Sequence, residues 1–224
     1  MRLHTLKILI ISSLICAGSA TAAGSNVWGV GIATKLGHTV GVFSGGAEAS
    51  VRFNKIEIAA GVMNGSDSIR DNVDGSCYSG ALEHPIDSAT VDQHATSLLL
   101  KLHPMNGSFY FGFGGIQTDA KGRLRVSTIQ DANMYLNEQM ELKTTLATIS
   151  IGNIWTPGNV MVGFEWLAHH QKVSSSESIE SNSSDSLDPE LIDMKSRFQY
   201  RMRRGPQWPN TSVLVFHLGY MLRS

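Results

Sequence analysis

Eight stretches of alternating apolar and small or polar residues follow one another along this chain, joined by connections that are in turn short and long. The short reversals lie near 54–55, 104–107 and 157–159. The long polar connections lie near 34–46, 64–92, 118–140 and 172–208. Period-two alternation is typical of strands with one apolar face. Strict alternation of tight and long connections is typical of a closed up-and-down barrel in an outer membrane.

The alternation predicts eight strands, with bounds at 26–34, 47–54, 55–63, 93–103, 107–115, 142–154, 160–168 and 212–222. The fifth is the clearest, because Phe109, Phe111 and Phe113 alternate there with tyrosine and glycine. Asn106-Gly107 before it suits the positive φ angles of a tight hairpin. No stretch after residue 23 shows a comparable helical period. We therefore expect an all-β fold, a closed antiparallel up-and-down eight-stranded barrel.

The face opposite the large apolar side chains decides whether such a barrel is soluble or lies in a membrane. In a soluble lipocalin-like barrel this face meets water and carries long polar residues. Here it is rich in glycine: Gly29, Gly31, Gly61, Gly112, Gly114, Gly152, Gly163 and Gly219. A strand glycine costs up to ~1 kcal/mol relative to alanine, whereas a narrow eight-stranded interior needs small residues. We therefore expect a transmembrane β-barrel with a glycine-lined lumen; a soluble periplasmic binder is the alternative.

The charged residues on the glycine face have both signs, and His217 shares this face. The charged set is Glu48, Arg52, Glu57, Lys101 and Glu165. Removing one partner of a buried charge pair is strongly destabilising. We therefore expect Arg52 or Lys101 to pair with Glu57 or Glu165 across the lumen. The alternative is that several of these residues lie near the barrel ends and are hydrated.

Residues 1–23 have the organisation of a secretory signal peptide. A positive start with Arg2 and Lys7 precedes an apolar stretch over 8–15 and an A-x-A cleavage motif. The apolar stretch is shorter than the about 20 residues of a spanning helix. We therefore expect a signal peptide over 1–23 and one outer-membrane barrel domain over 24–224.

Two cysteines bear on processing. Cys16 raises the alternative of a lipid-modified chain, but Ile15 precedes it where a bacterial lipobox has a small residue. Once 1–23 is removed, Cys77 is the single cysteine, so no intramolecular disulfide can form.

Loss of the two basic residues of the signal leaves 16 of 18 basic residues against 19 acidic ones, a net charge near −3. This balance gives no reason to expect nucleic acid as a partner.

Two segments, 46–61 and 151–166, resemble hairpins of small proteobacterial outer-membrane barrels. The group includes the eight-stranded barrel of the OmpA/OmpX type, and the resemblance covers nearly the whole chain after residue 23. It implies a Gram-negative outer membrane and insertion by the barrel assembly machinery. Such barrels usually end in an aromatic residue, whereas this sequence ends in Arg223-Ser224.

Histidines are the candidates for chemistry, yet none completes a recognisable site. Some eight-stranded barrels are lipid A deacylases that use a His, a Ser two residues on and a Glu, but Gln171 and Lys172 follow His169-His170. Adjacent strand residues also face opposite ways. The other histidines considered lack the spacing of metal ligands: His84, His94, His103 and His217. We expect no catalytic residue, no metal and no cofactor.

The fourth long connection separates acidic from basic residues. Its first half, 174–190, is rich in serine and acid, which is typical of solvated chain. A basic cluster follows: Lys195, Arg197, Arg201, Arg203 and Arg204. Alternation over 197–202 predicts a strand that extends the barrel above the membrane. The cluster either clamps lipopolysaccharide phosphates or is neutralised by the acids Glu177, Glu180, Asp185, Asp188, Glu190 and Asp193.

These patterns favour a small outer-membrane protein without catalysis, structural or surface-interacting, with long loops outside. Outer-membrane lipid and lipopolysaccharide are the expected partners, and the chain is expected to be a monomer. A narrow pore is the main alternative, although a side-chain-filled lumen leaves little room for water. A lipid A-modifying enzyme is a further alternative.

Overall fold

The computed structural model describes residues 28–39, 42–68, 86–104, 108–127, 135–184, 189–204 and 211–223. Its strands are β1 Trp28–Thr39, β2 Val42–Phe53, β3 Ile56–Ser68, β4 Ile86–Leu102, β5 Phe109–Ser127, β6 Tyr135–Trp155, β7 Val160–Ser183 and β8 Thr211–Arg223, and its helix is α1 Pro189–Arg204. Each strand pairs antiparallel with the next, and β1 closes on β8. The predicted eight-stranded up-and-down barrel is confirmed. The predicted signal peptide, Cys77 and His84 lie outside the described residues.

The large apolar side chains are on the outside of this barrel. Ile32, Leu98 and Leu222 are each at least 60% exposed, and the exposed apolar residues occur on all eight strands. The inner face instead buries lysine and glutamate. A barrel with an apolar exterior and a charged interior is suited to a lipid bilayer, because a soluble barrel buries its apolar face instead. The lipocalin-like alternative is therefore excluded.

Two of the tight turns adopt the backbone that their sequence favours. Asn54 joins β2 to β3 with a φ of 53°, and Gly158 lies between β6 and β7 with a φ of 61°. Asparagine and glycine are the residues that adopt this left-handed region most readily. The Asn106-Gly107 turn lies outside the described residues. We call the end of the barrel that carries these turns the lower end.

Strands β4 to β7 rise well above the others. They have 17, 19, 21 and 24 residues, against the about 9–11 residues that span a membrane. We call their upper parts, 86–96, 117–127, 135–145 and 171–183, the upper sheet. All four predicted long loops are therefore wrong in extent, because part of each belongs to strands and most of the second half of the fourth belongs to a helix. A strand above the membrane needs no lipid-facing apolar row, so the outward apolar side chains that mark the lower strands are largely replaced by polar ones there.

Helix α1 packs against the inward-facing side chains of the upper sheet. Leu191, Met194, Phe198 and Met202 are buried in one apolar cluster with residues of β4, β5 and β6. Their spacing of three, four and four residues follows one helix face. The strand predicted over 197–202 is thus wrong: Phe198 and Met202 are buried, but Tyr200 between them is 57% exposed. The helix begins at Pro189, a residue that suits a first helical turn.

A glycine of β5 lets this helix approach closely. A Cβ atom at Gly122 would lie 2.9 Å from the Phe198 ring and would also collide with the Met202 sulfur.

No helix among the described residues is long and apolar enough to cross a membrane.

Glycines also make room for one large side chain in the lower lumen. Tyr110 is completely buried, and a Cβ at Gly152 would lie 2.6 Å from its hydroxyl oxygen. Strand glycines often mark such close approaches. Six of the eight glycines predicted to line the lumen are buried, whereas Gly219 is half-buried and Gly114 is exposed.

Candidate functional site

The lumen of the barrel contains a compact cluster of charged side chains. Lys35 Nζ on β1 donates to Glu48 Oε2 on β2 at 3.0 Å. Lys101 Nζ on β4 donates to Glu48 Oε1 at 2.5 Å and to Glu57 Oε1 on β3 at 3.3 Å. All four side chains are at most 6% exposed. Two lysines thus neutralise two carboxylates in a water-excluded space.

Three further groups extend this cluster. His103 Nε2 lies 3.3 Å from Glu57 Oε2, and His217 Nδ1 lies 3.6 Å from Glu48 Oε1. The Tyr110 hydroxyl donates to Glu165 Oε2 at 3.5 Å. The Lys101 ammonium lies 5.4 Å from the centre of the Tyr110 ring, within the range of a cation–π contact. We call these residues the lumen cluster: Lys35, Glu48, Glu57, Lys101, His103, Tyr110, Glu165 and His217.

The structure brings most of the interior residues proposed from sequence into this cluster. Lys101 forms an ion pair with Glu57, which is one of the expected pairings, and a second ion pair with Glu48. Glu165 joins through Tyr110 rather than through a cation. Arg52 lies lower and is half-buried, and its Nε donates to the carbonyl of Asn54 in the turn at 3.2 Å.

Sequence reasoning missed Lys35, His103 and Tyr110 as members of the cluster. Lys35 falls in a predicted loop, although it continues the inward series of Gly29 and Gly31 in steps of two residues. His103 ends the predicted fourth strand two residues after Lys101. The period-two pattern of the strands therefore indicates Lys35, once the first strand is continued by one residue, and it also indicates His103.

The lumen cluster ties neighbouring and distant strands together and fills the barrel interior. Lys101, Glu57, His103 and Tyr110 have no exposed surface, so water does not reach them. Seven of the eight strands contribute a side chain, β6 being the exception among the residues that define the cluster. No group of three or more potential metal ligands occurs among the described residues.

The two adjacent histidines of β7 face opposite ways. His169 is exposed, whereas His170 is buried in the lumen with its Nδ1 3.0 Å from the Thr148 hydroxyl. They are therefore two separate side chains rather than one site.

The basic cluster proposed to bind lipopolysaccharide lies on α1 and is largely engaged with acids and polar groups. Lys195 Nζ lies 3.3 Å from the buried Glu138. Arg197 bonds Asp193 at 2.7 Å, and Arg203 bonds both oxygens of Glu177 at 3.0 and 3.1 Å. Hydrogen bonding to Arg203 holds the pKa of the Glu177 carboxyl below its ordinary value.

Two further members of these sets, Arg201 and Glu180, are exposed. Asp185 and Asp188 lie outside the described residues, as do the side chains of Glu190 and Arg204.

No protein-family model and no curated protein matches the sequence. Among solved structures, the chain is similar to a major outer membrane protein from Thermus thermophilus, at 12% identity over 90% of this chain and 100% of that chain, with a TM-score of 0.46. It is also similar to CarO of Acinetobacter baumannii, at 12% identity over 86% and 96% of the two chains, with a TM-score of 0.41. Similarity at this level gives no information about ligand or role.

Proposed function

We propose that this protein is a small barrel of a Gram-negative outer membrane whose lumen is sealed, with a structural or surface-interacting role. Its apolar exterior and closed ring of strands support a membrane location, since a spanning sheet must leave no unpaired edge in lipid. Export through the segment 1–23 and insertion by the barrel assembly machinery belong to the same proposal. Outer-membrane lipid contacts the apolar exterior of a monomer.

The lumen cluster is the observation that carries this proposal. A pore needs a continuous water path, but the layer formed by Lys101, Glu57 and Tyr110 has no exposed surface. Helix α1 packs its apolar face against β4, β5 and β6 above this layer. An eight-stranded lumen is only just wide enough for its own side chains. The packed interior therefore supports a role in stabilising the barrel rather than a transport role.

Lipopolysaccharide remains a proposed partner at the outer leaflet. The engagement of Arg197 and Arg203 by acids argues against α1 as its principal phosphate clamp. Contact through the apolar exterior is the better supported mode, because acyl chains need no charged group.

The folded protein should show no discrete conductance in planar lipid bilayers. A variant with Lys101→Ala and Tyr110→Ala removes two large side chains from the sealed layer and should give small openings. Lys121→Ala on the exposed outer face of β5 is the matched control and should be as silent as the wild type. Discrete conductance of the wild type that the double variant alters would show that the lumen is a pore.

Cell fractionation tests the location separately. The protein should sediment with outer membranes and migrate as a compact band on a detergent gel until it is boiled. Release by osmotic shock in soluble form would contradict the proposal.

A further inference from the structure

The upper part of β7 has one edge that no strand covers in the described part of the chain. On one side β7 pairs with β6 as far as Ser183. On the other side its pairing with β8 starts at Val160 and ends at His169. Among the described residues, no strand pairs with this second edge over 171–183. An unpaired edge presents a row of backbone N–H and C=O groups to which another strand can bond.

The sequence of this edge lacks the features that usually protect an exposed strand. Natural edges often carry lysine, proline or a bulge, and the segment 174–183 contains none of the three. Residues 171–182 are exposed on both faces of the strand. Most side chains of the segment are serines, which are short enough to let a second backbone approach. Of its two acids, Glu177 is already paired with Arg203.

The tilt of the strands decides where a second copy of the chain can pair with this edge. Barrel strands are tilted by about 35–45° from the barrel axis. Two copies in one membrane are related by a rotation about the membrane normal, so their β7 edges would cross at roughly 70–90° and could not form a ladder. A two-fold axis perpendicular to the sheet makes the two edges antiparallel, but it also inverts the barrel axis. Paired copies would therefore lie in two membranes that face each other.

The inward and outward pattern of the edge limits the possible registers. The β6 partners of Glu177, Ile179 and Ser181 are buried, so these three side chains are on the inward face of the strand. Opposite residues of an antiparallel pair share one face. The two-fold axis must therefore pass through a residue and not between two residues.

One of these registers brings together groups that attract each other. An axis at Glu177 or at Glu180 would place like charges opposite each other, which is destabilising. An axis at Ser178 would place Glu177 against Ile179 of the second copy. An axis at Ile179 places the two isoleucines together and Glu177 opposite Ser181 of the second copy. Ile179 is the single apolar residue of the segment 174–183, so this register uses its one apolar contact.

A lysine of α1 makes the same register complementary in charge. Lys195 Nζ donates to Ser181 Oγ at 2.7 Å and keeps part of its surface exposed. Because Ser181 would face Glu177 of the second copy, the ammonium group of Lys195 would gain that carboxylate as a neighbour. The two-fold axis repeats this contact on the other side. The edge is thus complementary to itself both in its apolar residue and in its charges.

We propose that the upper edge of β7 pairs with the same edge of a second copy in a facing membrane and so tethers two outer membranes. The inference rests on the proposed function, since it names the partner of a surface-interacting barrel that is a monomer within its own membrane. Residues 175–183 of both copies form one antiparallel ladder centred on Ile179. A tilted strand rises roughly 2.5 Å per residue along the barrel axis, and Ile179 follows the lipid-facing Leu167 by twelve residues, so the two hydrocarbon cores are about 60 Å apart.

Clustering of vesicles tests this pairing with the full chain. Two vesicle populations with dyes of different colour receive the protein by reconstitution from detergent, so that copies are present in both orientations. The two populations should cluster, with both colours together under the microscope, and electron cryomicroscopy of the junctions should show the expected membrane spacing. Vesicles that contain the protein should not bind protein-free vesicles. Clustering with protein-free vesicles would overturn the proposal, because it would identify lipid rather than a second copy as the partner.

A charge exchange at Ile179 tests the register. Ile179→Lys and Ile179→Asp each place like charges opposite each other and should lower clustering at least about tenfold. Mixing vesicles of the one variant with vesicles of the other places lysine opposite aspartate and should restore clustering. Ile192→Lys is the matched control, since Ile192 is an exposed isoleucine on α1, and it should cluster like the wild type.

Compact migration of each unboiled variant on the gel verifies that it is folded. The absence of clustering in the wild type would overturn the proposal, and so would unchanged clustering in both Ile179 variants or a mixture of them that fails to cluster. None of these results touches the sealed-barrel function, because that function is judged by conductance and fractionation.

Discussion

Replacing Lys101 with methionine should lower the free energy of unfolding by about 3–5 kcal/mol, the scale for removing one partner of a buried ion pair. Lys101 is fully buried and bonds two carboxylates at once. After its removal Glu48 retains Lys35, but within the lumen cluster Glu57 retains only the contact with the His103 ring. A methionine fills similar space, so the loss is mainly electrostatic.

Urea unfolding of the protein in lipid vesicles, followed by tryptophan fluorescence, measures this effect. The matched control is Lys121→Met, which removes the 2.8 Å pair with Glu141 on the exposed outer face of the upper sheet. Exposed pairs contribute little, so its midpoint should stay at the wild-type value. Adding Glu57→Gln to Lys101→Met should restore part of the stability. Equal shifts for Lys101→Met and Lys121→Met would show that the lumen cluster does not stabilise the barrel.

The lower strands could be predicted because lipid imposes one simple rule on them. Residues such as Phe111 and Phe113 must face acyl chains, and their neighbours must fit a narrow lumen, so the two faces differ sharply. Above the membrane this rule ends. The outer face of β5 carries Lys121 and Arg123 there, while Leu124 faces the helix. The alternation persists in the upper parts of β5 and β6, but its apolar side points inward instead of outward.

Helix α1 was missed because two periods overlap in its sequence. Phe198, Tyr200 and Met202 fit a strand, but Leu191, Met194 and Phe198 fit a helix. The helical series is the longer of the two and determines the structure, but it becomes visible only when the whole segment 189–204 is considered.

Pairing within the lumen depends on register and strand tilt. Glu57 and Lys101 are direct cross-strand neighbours, which is one of the pairings that the sequence analysis left open. Glu48 is two strands away from Lys101, and its partner on β3 is Gly61. Only a closed, tilted barrel brings these two side chains to one level.

Replacing Phe198 with alanine should release helix α1 from the upper sheet while the barrel stays folded. Phe198 is fully buried at the middle of the apolar face of the helix. Truncating a buried phenylalanine costs about 3–5 kcal/mol. Polar contacts would still hold the helix: Arg203 to Glu177 and Lys195 to Ser181 on β7, and Lys195 and Gln199 to Glu138 on β6. The two contacts to β7 are exposed and contribute little on their own.

Hydrogen exchange of α1 in folded, membrane-inserted protein measures this release. The α1 amides should lose protection in Phe198→Ala, while β1 to β3 keep theirs, because those strands have no residue in the apolar cluster of the helix. Ile192→Ala is the matched control, since Ile192 is on the same helix but 51% exposed, and should leave protection unchanged. Loss of protection throughout the barrel would mean that helix and barrel fold as one cooperative unit. Retained protection of α1 would mean that its polar contacts, rather than its apolar face, hold it in place.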